Sequence, residues 1–482
     1  MSDTAVNETP SLSKRSFWLI IAAIAVGNFA AALSSTTVTI MLPVFMSVFQ
    51  ADIIQVQWTL TGYMLASGIV APMIGYLSDR LSLKRTYILA LLGFLITSFL
   101  LGFSWSAGSL IAFRILQGCF GGMLMPITMS LVYQVVPRER QAFALSIWSV
   151  SGVLAPTFGP TVAGLLTDAL GWRWVFFMNV PLILAAIIVA RAVIPYYKIK
   201  EADEKERFDY LGLVTGTFGT FCLLYVFSNF SKWGLNAASI LMLLAGAVCI
   251  VIFAVTEFRV KNPMLYLRVL KYETFTWSLV VLTIASICMN LSIVVLPIYL
   301  QDIMGYSTTI SALIMLPGPL LIFFLVPLIG KYYDRLNAKL LLICCLSVGI
   351  ISMLMLHNLT LTTAGLFVLF TVVVRDLGLA SISMPCTNLG MTVIPTAYTS
   401  HAAAVNSWVR QCGSSFAIGL INTFLVLRTN QHIQKMTALD PLTDTASVYN
   451  ACYVLSINDL ALIGVGFILF GIFAVTRIKA SR

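Results

Sequence analysis

Charged residues are scarce in this chain of 482 residues, where only 10% are Asp, Glu, Lys or Arg and 59% are hydrophobic. Soluble domains carry charge on about a quarter of their residues, so a soluble globular protein is excluded. The hydrophobic residues form runs of about 20, the length with which an α-helix crosses about 30 Å of hydrocarbon. Outer-membrane strands are shorter and alternate in polarity. The sequence therefore predicts a membrane protein built from helices.

Residues that bind metals or perform catalysis are also scarce. The nine cysteines lie in or beside the hydrophobic runs without metal-ligand spacing, and His357, His401 and His432 form no cluster in the sequence. No nucleotide-binding loop, metal motif or catalytic constellation occurs. We therefore expect a protein that is not an enzyme, with no catalytic residues, no metal and no cofactor, and we interpret the histidines as ordinary packing residues.

Fourteen hydrophobic runs are long enough to span a membrane, the first near residues 17–41 and the last near residues 453–476. An even number of spans places both termini on one side. Most Lys and Arg residues fall beside the loops on that side, and cytoplasmic loops collect positive charge. The net charge of +10 is thus interpreted as a topology signal that places both termini in the cytoplasm, and nucleic-acid binding is not expected.

A charged turn between hydrophobic runs occurs twice. Gly, Asp, Arg, Leu and Lys have the same offsets in both copies: Gly75, Asp79, Arg80, Leu81 and Lys84 in the first, and Gly330, Asp334, Arg335, Leu336 and Lys339 in the second. Anchoring of the chain by positive loops explains the basic residues but not five matched offsets. The repeat therefore predicts two parallel halves, an organisation found in transporters.

The repeat and the runs divide the chain into four predicted parts. Residues 1–195 form an N-terminal six-helix bundle, residues 196–209 a cytoplasmic linker, residues 210–257 an inserted helix pair, and residues 258–482 a C-terminal six-helix bundle. The predicted fold is all-α, with fourteen transmembrane helices. Residues 428–452, between the last two runs, are expected to form a loop.

Further motifs accompany the charged turns. They are Gln57–Tyr63, Arg114–Gly118, Gly152–Gly164, Trp172–Pro181, and Glu257–Arg259 followed by Pro263–Leu265. In this combination, and over nearly the whole chain, the sequence resembles the major facilitator superfamily and specifically its fourteen-span drug:proton antiporter branch. The resemblance implies the major facilitator fold, with two six-helix bundles and two inserted helices. It also implies export of a small molecule by alternating access, with a proton gradient as the energy source.

The resemblance assigns hypothetical roles to both charged turns and to the fifth span. The eight matched Gly, Asp, Arg and Lys residues of the turns are expected to act as a conformational latch, with positive-inside anchoring as the alternative. Asp79 is suited to this role because a carboxylate near a helix start can accept hydrogen bonds from free N–H groups. The exporter motif consists of Gly152, Pro156, Gly159, Pro160 and Gly164. Gly allows close helix packing and Pro bends a helix.

Ionisable residues inside membrane helices are costly and usually face a cavity or a partner. Asp376 is the acidic residue that falls in the middle of a predicted span, and Arg114, Arg375 and Arg410 also lie within spans. We expect Asp376 to carry the proton, with these arginines as the positive groups of the coupling. The alternative is a fixed ion pair, because a nearby cation favours the ionised carboxylate. Consecutive helical side chains point about 100° apart, so contact between Arg375 and Asp376 is not required.

The first span departs from the family pattern, because Ser34 stands where relatives have an acidic residue. This departure favours neutral, zwitterionic or anionic substrates over cationic drugs. Aromatic and polar residues of the inner spans are candidates for a permissive substrate cavity. The candidates are Ser34, Trp58, Tyr63, Gln117, Asn290 and Trp408.

The predicted substrate is a drug-like amphiphile or a metabolite made by the cell. Two alternatives are a proton-coupled uptake symporter and a membrane receptor or scaffold that does not transport. The expected partners are the small-molecule substrate and the lipid bilayer, and the expected oligomeric state is a monomer. The expected location is a bacterial plasma membrane.

Overall fold

The computed structural model describes residues 14–196, 209–233, 236–260, 263–439 and 445–478. In these residues every regular element is a helix. The α-helices are α1 (Lys14–Thr37), α2 (Leu42–Phe49), α3 (Ile53–Val70), α4 (Ile74–Leu81), α5 (Leu83–Gly102), α6 (Ala107–Val135), α7 (Arg138–Leu170), α8 (Trp174–Phe177), α9 (Asn179–Val193), α10 (Tyr210–Trp233), α11 (Ala237–Arg259), α12 (Glu273–Ile298), α13 (Thr308–Met315), α14 (Pro317–Tyr332), α15 (Ala338–His357), α16 (Gly365–Arg375), α17 (Ser383–Met391), α18 (Thr399–Leu439) and α19 (Thr445–Arg477).

Fourteen stretches of these helices are long and apolar enough to cross a membrane, which confirms the predicted fold class. Four of the stretches contain two α-helices each, because the backbone changes its hydrogen-bonding pattern within the span. A 3₁₀ turn with Pro72 separates α3 from α4, and Pro317 begins α14 directly after α13. Proline lacks the N–H that would continue the helical ladder. Between α16 and α17 a π-turn covers Asp376–Ala380.

The chain forms two compact units. Unit 1 consists of the described residues of Met1–Phe208 together with Pro395–Ala404, and unit 2 consists of Asp209–Ile394 and Val405–Arg482. The inserted pair, α10 and α11, thus groups with the second half of the chain. The linker predicted at 196–209 lies outside the described residues except at its two ends, and the predicted domain boundaries stay a prediction.

In unit 1, close backbone approach and polar bonds join the helices. On α6, a Cβ at Gly118 would lie 2.5 Å from the carbonyl oxygen of Tyr63, and one at Gly122 would lie 2.5 Å from Cα of Ser67. Glycine therefore sets how closely α3 and α6 pack. Asn28 of α1 donates to Ser151 Oγ of α7 at 2.9 Å. These contacts hold α1, α3, α6 and α7 in a fixed register around the first site described below.

In unit 2, the inserted pair packs against α18. The rings of Phe227 on α10 and Phe416 on α18 lie 4.7 Å apart, and a Cβ at Gly419 would lie 2.5 Å from the carbonyl oxygen of Phe227. Trp408 Nε1 also donates to Thr220 Oγ1 at 3.0 Å. The inserted helices are therefore part of the packing of unit 2.

The prediction of a loop at 428–452 is wrong for most of these residues. α18 continues to Leu439, and α19 begins at Thr445. Residues 428–439 contain neither Gly nor Pro, so their polar composition does not interrupt the helix. The polar residues at 428–439 therefore end the apolar span, while the helix itself continues.

Candidate functional site

Arg114 is fully buried in unit 1, and neutral oxygen atoms surround its guanidinium group. The group donates to Ser34 Oγ and to the Ser34 carbonyl oxygen, both at 3.0 Å, to the Thr59 carbonyl oxygen at 3.2 Å, and to Gln117 Oε1 at 2.6 Å. In the described residues no carboxylate forms an ion pair with Arg114. Hydrogen-bond dipoles therefore stabilise this buried cation.

Tyr63 and Gln117 complete the surroundings of Arg114. The Tyr63 ring centroid lies 4.5 Å from Cζ of Arg114, a cation–π contact, and its hydroxyl donates to the Ala31 carbonyl oxygen at 3.2 Å. Gln117 Nε2 donates to Ser98 Oγ at 2.9 Å. Four predicted site residues, Ser34, Tyr63, Arg114 and Gln117, thus form one buried network, and their role in transport stays a prediction.

Asp376 and Arg375 form a buried ion pair in unit 2. Nη2 of Arg375 lies 2.7 Å from Asp376 Oδ1, and the two side chains are 4% and 3% exposed. Nε of Arg375 donates to the same oxygen at 2.7 Å. Adjacent residues need not meet on a regular helix, but here α16 ends at Arg375 and the π-turn begins at Asp376. The long arginine side chain folds back onto its neighbour.

Neighbouring atoms pack closely around this ion pair, but one of its nitrogen atoms has no hydrogen-bond partner among the described residues. Asp376 Oδ2 lies against Gly318 of α14, where an added Cβ would overlap it. Nη1 of Arg375 is buried and has no hydrogen-bond partner in the described part of unit 2. Arg410, on α18, forms no ion pair with Asp376 within the described ranges. The structure thus brings Arg375, but not Arg410, to the candidate proton carrier.

The first charged turn joins α4 to α5 through Ser82, whose φ is +78°. Glycine adopts this conformation most readily, so Ser82 has a backbone conformation that is uncommon for a residue with a side chain. Asp79 Oδ2 lies 3.1 Å from His401 Nε2, and His401 belongs to the segment Pro395–Ala404 that groups with unit 1. Lys84 Nζ donates to the Arg191 carbonyl oxygen at 2.8 Å. His401, which lies far along the chain from this turn, therefore contacts the carboxylate of Asp79.

The second charged turn has different surroundings. Asp334 and Arg335 lie in a 3₁₀ turn, and both side chains are exposed. Neither forms an ion pair with another described residue. Asn337 accepts a hydrogen bond from the backbone N–H of Lys339 at 3.1 Å and so caps α15. The two turns match in sequence but not in their contacts.

The exporter motif lies on α7, which is continuous from Arg138 to Leu170. A Cβ at Gly159 would lie 2.6 Å from Thr36 Oγ1, so α1 and α7 approach closely there. Gly152 and Gly164 lie on the same helix, whereas the side chains of Pro156 and Pro160 lie outside the described part of the chain. The motif thus includes one close helix contact, and its role in export stays a prediction.

The other candidate cavity residues are dispersed. Trp58 is half-buried on α3. Asn290 donates to the Ser286 carbonyl oxygen of its own helix at 2.8 Å. Trp408 packs against Phe253 of the inserted pair, with ring centroids 6.1 Å apart. Their contribution to a substrate cavity stays a prediction.

The structure also contains a histidine pairing that sequence analysis missed. In unit 2, Asp459 Oδ2 lies 2.7 Å from Arg428 Nε and 2.9 Å from His432 Nε2. Arg428 and His432 are four residues apart on α18 and so share one face. The four-residue spacing of Arg428 and His432 brings them to one face only if the segment is helical. Because a loop was expected there, the sequence did not predict this contact. His401 and His432 thus each contact a carboxylate, and the expectation that they have no functional role stays a prediction.

Comparison with known proteins identifies the class to which this fold and these sites belong. The model of the Major Facilitator Superfamily matches residues 24–418, so the chain belongs to that superfamily. A solved structure, that of the proton:xylose symporter XylE, has the same fold, with a TM-score of 0.63 and 12% identity, covering 95% of this chain and 96% of that one.

The relatives further define the branch. The chain is 26% identical over 474 residues to the lincomycin resistance protein LmrB of Bacillus subtilis, covering 96% of each. It is 25% identical over 436 residues to the multidrug export protein EmrB of Haemophilus influenzae, covering 89% of this chain and 84% of that one. The predicted family is thus confirmed, and the chain is a multi-pass membrane transporter whose relatives are bacterial drug-resistance and multidrug-export proteins.

Proposed function

We propose that this protein is a proton-coupled secondary exporter of amphiphilic small molecules that works by alternating access. The buried Arg375–Asp376 ion pair is the observation that carries the proposal. The names of LmrB and EmrB support drug-like substrates. In this proposal the protein is not an enzyme and uses no metal or cofactor, since a proton gradient supplies the energy.

The proton is proposed to act on Asp376. A proton on this carboxyl removes its negative charge and weakens its bonds to Arg375, whose Nη1 already has no partner in the described residues. A buried cation without a partner is costly, so the guanidinium group favours a conformation in which it finds another acceptor. Because π-turns within α-helices are frequently found at functional sites, the turn at Asp376–Ala380 suits this position.

The proposed substrates are neutral, zwitterionic or anionic. Ser34 contributes a hydroxyl and a carbonyl oxygen to Arg114, where a carboxylate would add a negative charge. The buried network in unit 1 therefore has no acidic group with which to attract a cationic drug. Binding of an amphiphile would rest on apolar contacts and a few polar groups.

The remaining parts of the proposal concern topology and conformational control. Both termini are proposed to lie in the cytoplasm of a bacterial cell, an orientation that the distribution of Lys and Arg supports. The protein is also proposed to act as a monomer without binding nucleic acid. The Asp79–His401 contact is the proposed latch of the first charged turn.

Transport into and out of proteoliposomes tests the coupling. With an imposed pH gradient and a panel of cationic, neutral and anionic fluorescent amphiphiles, the wild type should drive transport of at least one neutral or anionic compound. Asp376→Asn should abolish the gradient-driven flux, because an amide cannot exchange the proton. Asp302→Asn, which alters an exposed carboxylate, should keep it.

Three outcomes would contradict the proposal. Unchanged flux in Asp376→Asn would remove this carboxyl from the mechanism. Accumulation of substrate in the direction of proton entry would establish the uptake symporter instead. Binding of an amphiphile without counterflow would indicate a receptor or scaffold.

A further inference from the structure

Two carboxyl groups meet at one end of the inserted helix pair in unit 2. Asp209 precedes α10, and its Oδ1 accepts a hydrogen bond from the Gly212 N–H at 2.7 Å. Glu257 lies near the end of α11 and is 0% exposed. Its Oε2 accepts a hydrogen bond from the Leu265 N–H at 3.1 Å. One oxygen of each carboxyl is therefore held by the backbone.

The other oxygen of each carboxyl, Asp209 Oδ2 and Glu257 Oε1, lies close to Gly212. A Cβ at Gly212 would be 3.0 Å from Glu257 Oε1 and closer still to Asp209 Oδ2. Both oxygens are buried, and neither has a hydrogen-bond partner among the residues that the structure describes. Two ionised carboxylates in this arrangement would repel each other and leave two buried acceptors unsatisfied.

No described cation compensates for these charges. The described titratable and charged residues that flank the two carboxyls along the chain are Tyr210, Arg259, Tyr266, Arg268, Lys271, Tyr272 and Glu273. Arg268 donates to the Phe258 carbonyl oxygen at 3.0 Å and lies over the Tyr266 ring, while Arg259 and Lys271 are exposed. Within the described ranges, none of the cations forms an ion pair with Asp209 or Glu257.

We propose that Asp209 and Glu257 together bind one proton. The proton removes the need to bury a second negative charge and reduces the charge of the pair from two to one. A similar sharing occurs wherever two carboxyls must occupy one buried site. The site is separate from the Arg375–Asp376 pair and does not rest on proton-coupled transport.

The site also fastens neighbouring segments to each other. Glu257 Oε2 holds Leu265 N, in the connection that leads to α12, while Asp209 caps the start of α10. The proton therefore links Asp209, directly before α10, to Glu257 and to the connection that follows α11. Loss of the proton leaves two carboxylates that repel each other at this junction.

Thermal unfolding of the purified protein in detergent, measured as a function of pH, tests the proposal. The folded pair binds a proton that two exposed carboxylates would release, so the wild-type midpoint should fall as the pH rises and the proton is lost. In Glu257→Gln an amide N–H replaces the proton, so the midpoint should stay constant over the same pH interval. Asp302→Asn, at an exposed carboxylate, should follow the wild-type profile. Equal slopes in the wild type and Glu257→Gln would overturn the proposal.

Infrared spectroscopy gives a second readout that needs neither transport nor reversible unfolding. In an Asp376→Asn background, so that Asp376 cannot contribute, a band from a buried protonated carboxyl should be present at neutral pH. The band should disappear when either Glu257→Gln or Asp209→Asn is added. Its absence from the Asp376→Asn protein, or its persistence in both double variants, would overturn the proposal. The infrared band is measured without transport and in a protein that lacks Asp376. Its result therefore does not depend on whether Asp376 couples transport to protons, and the two proposals can fail independently.

Discussion

At the scale of single residues, Ser34 determines the electrostatics of the buried network in unit 1. Its hydroxyl accepts from Arg114 Nη1 and donates to Gln117 Oε1 at 3.1 Å. A hydroxyl can act as donor and acceptor at once, whereas an ionised carboxylate only accepts and adds a negative charge. The side chain at this position therefore decides whether the guanidinium group is neutralised or remains a net cation.

Substitution of this serine should change the charge preference of the transporter. In Ser34→Asp the carboxylate would pair with Arg114, and flux of cationic amphiphiles relative to anionic ones should rise about tenfold, equivalent to ~1.4 kcal/mol. Proteoliposome assays with size-matched dyes of opposite charge measure this ratio. Ser34→Asn, similar in size but neutral, is the control, and an equal shift in both variants would show that charge is not the cause.

Some residue-scale features follow from sequence and others do not. The buried positions of Arg114 and Asp376 were predicted because ionisable residues stand out in apolar runs. The bond of Arg114 to Ser34 was not, since it joins two helices that are distant in sequence. Contact between Arg375 and Asp376 depends on a π-turn, which has no recognisable sequence pattern here.

At the scale of elements, the packing of α14 against the start of the π-turn controls the space around Asp376. Gly318 contacts both Asp376 and Val372 of α16, and a Cβ there would lie 3.0 Å from Val372 Cγ1. Proteins close-pack at such crossings, so even one methyl group requires a shift of the neighbours. The glycine thus positions the carboxyl through the helix crossing.

Introduction of a methyl group at this crossing should disturb both stability and transport. Gly318→Ala should destabilise the protein by about 1–3 kcal/mol, the usual cost of overpacking, and should lower proton-driven flux because Asp376 must move. Gly466→Ala on α19 is the matched control, since among the described residues no neighbouring element has an atom within 4 Å of its added Cβ. Thermal midpoints and initial flux of the two variants would be compared, and equal values would contradict the interpretation.

The number of membrane spans could be predicted from sequence, but helix ends could not. Each span is marked by an apolar run of sufficient length, which composition alone reveals. The end of α18 at Leu439 lies well beyond its apolar run, because a polar sequence without Gly or Pro remains helical. Breaks within spans, as at Pro72, are likewise invisible to hydropathy.

At the scale of the whole molecule, chain order and spatial grouping differ at one segment. Pro395–Ala404 belongs in sequence to the second half, yet it groups with unit 1, and α18 continues from it into unit 2. His401 lies in this segment, and a side chain at Gly75 would collide with its ring. In the first charged turn, Gly75 therefore leaves room for the His401 ring and Asp79 contacts it. Both residues help to hold the segment Pro395–Ala404 in place.

A double-mutant cycle measures whether this contact acts in transport. Asp79→Ala and His401→Ala should each slow proton-driven flux, and the double variant should be no slower than the more affected single one. We expect a coupling of about 1 kcal/mol, or roughly fivefold in rate, because Asp79 is partly exposed to solvent. His432→Ala is the control, since His432 contacts Asp459 instead, and its effect should add to that of Asp79→Ala. Additive effects of Asp79→Ala and His401→Ala would show that the segment is held without their contact, and that positive-inside anchoring suffices to explain the first charged turn.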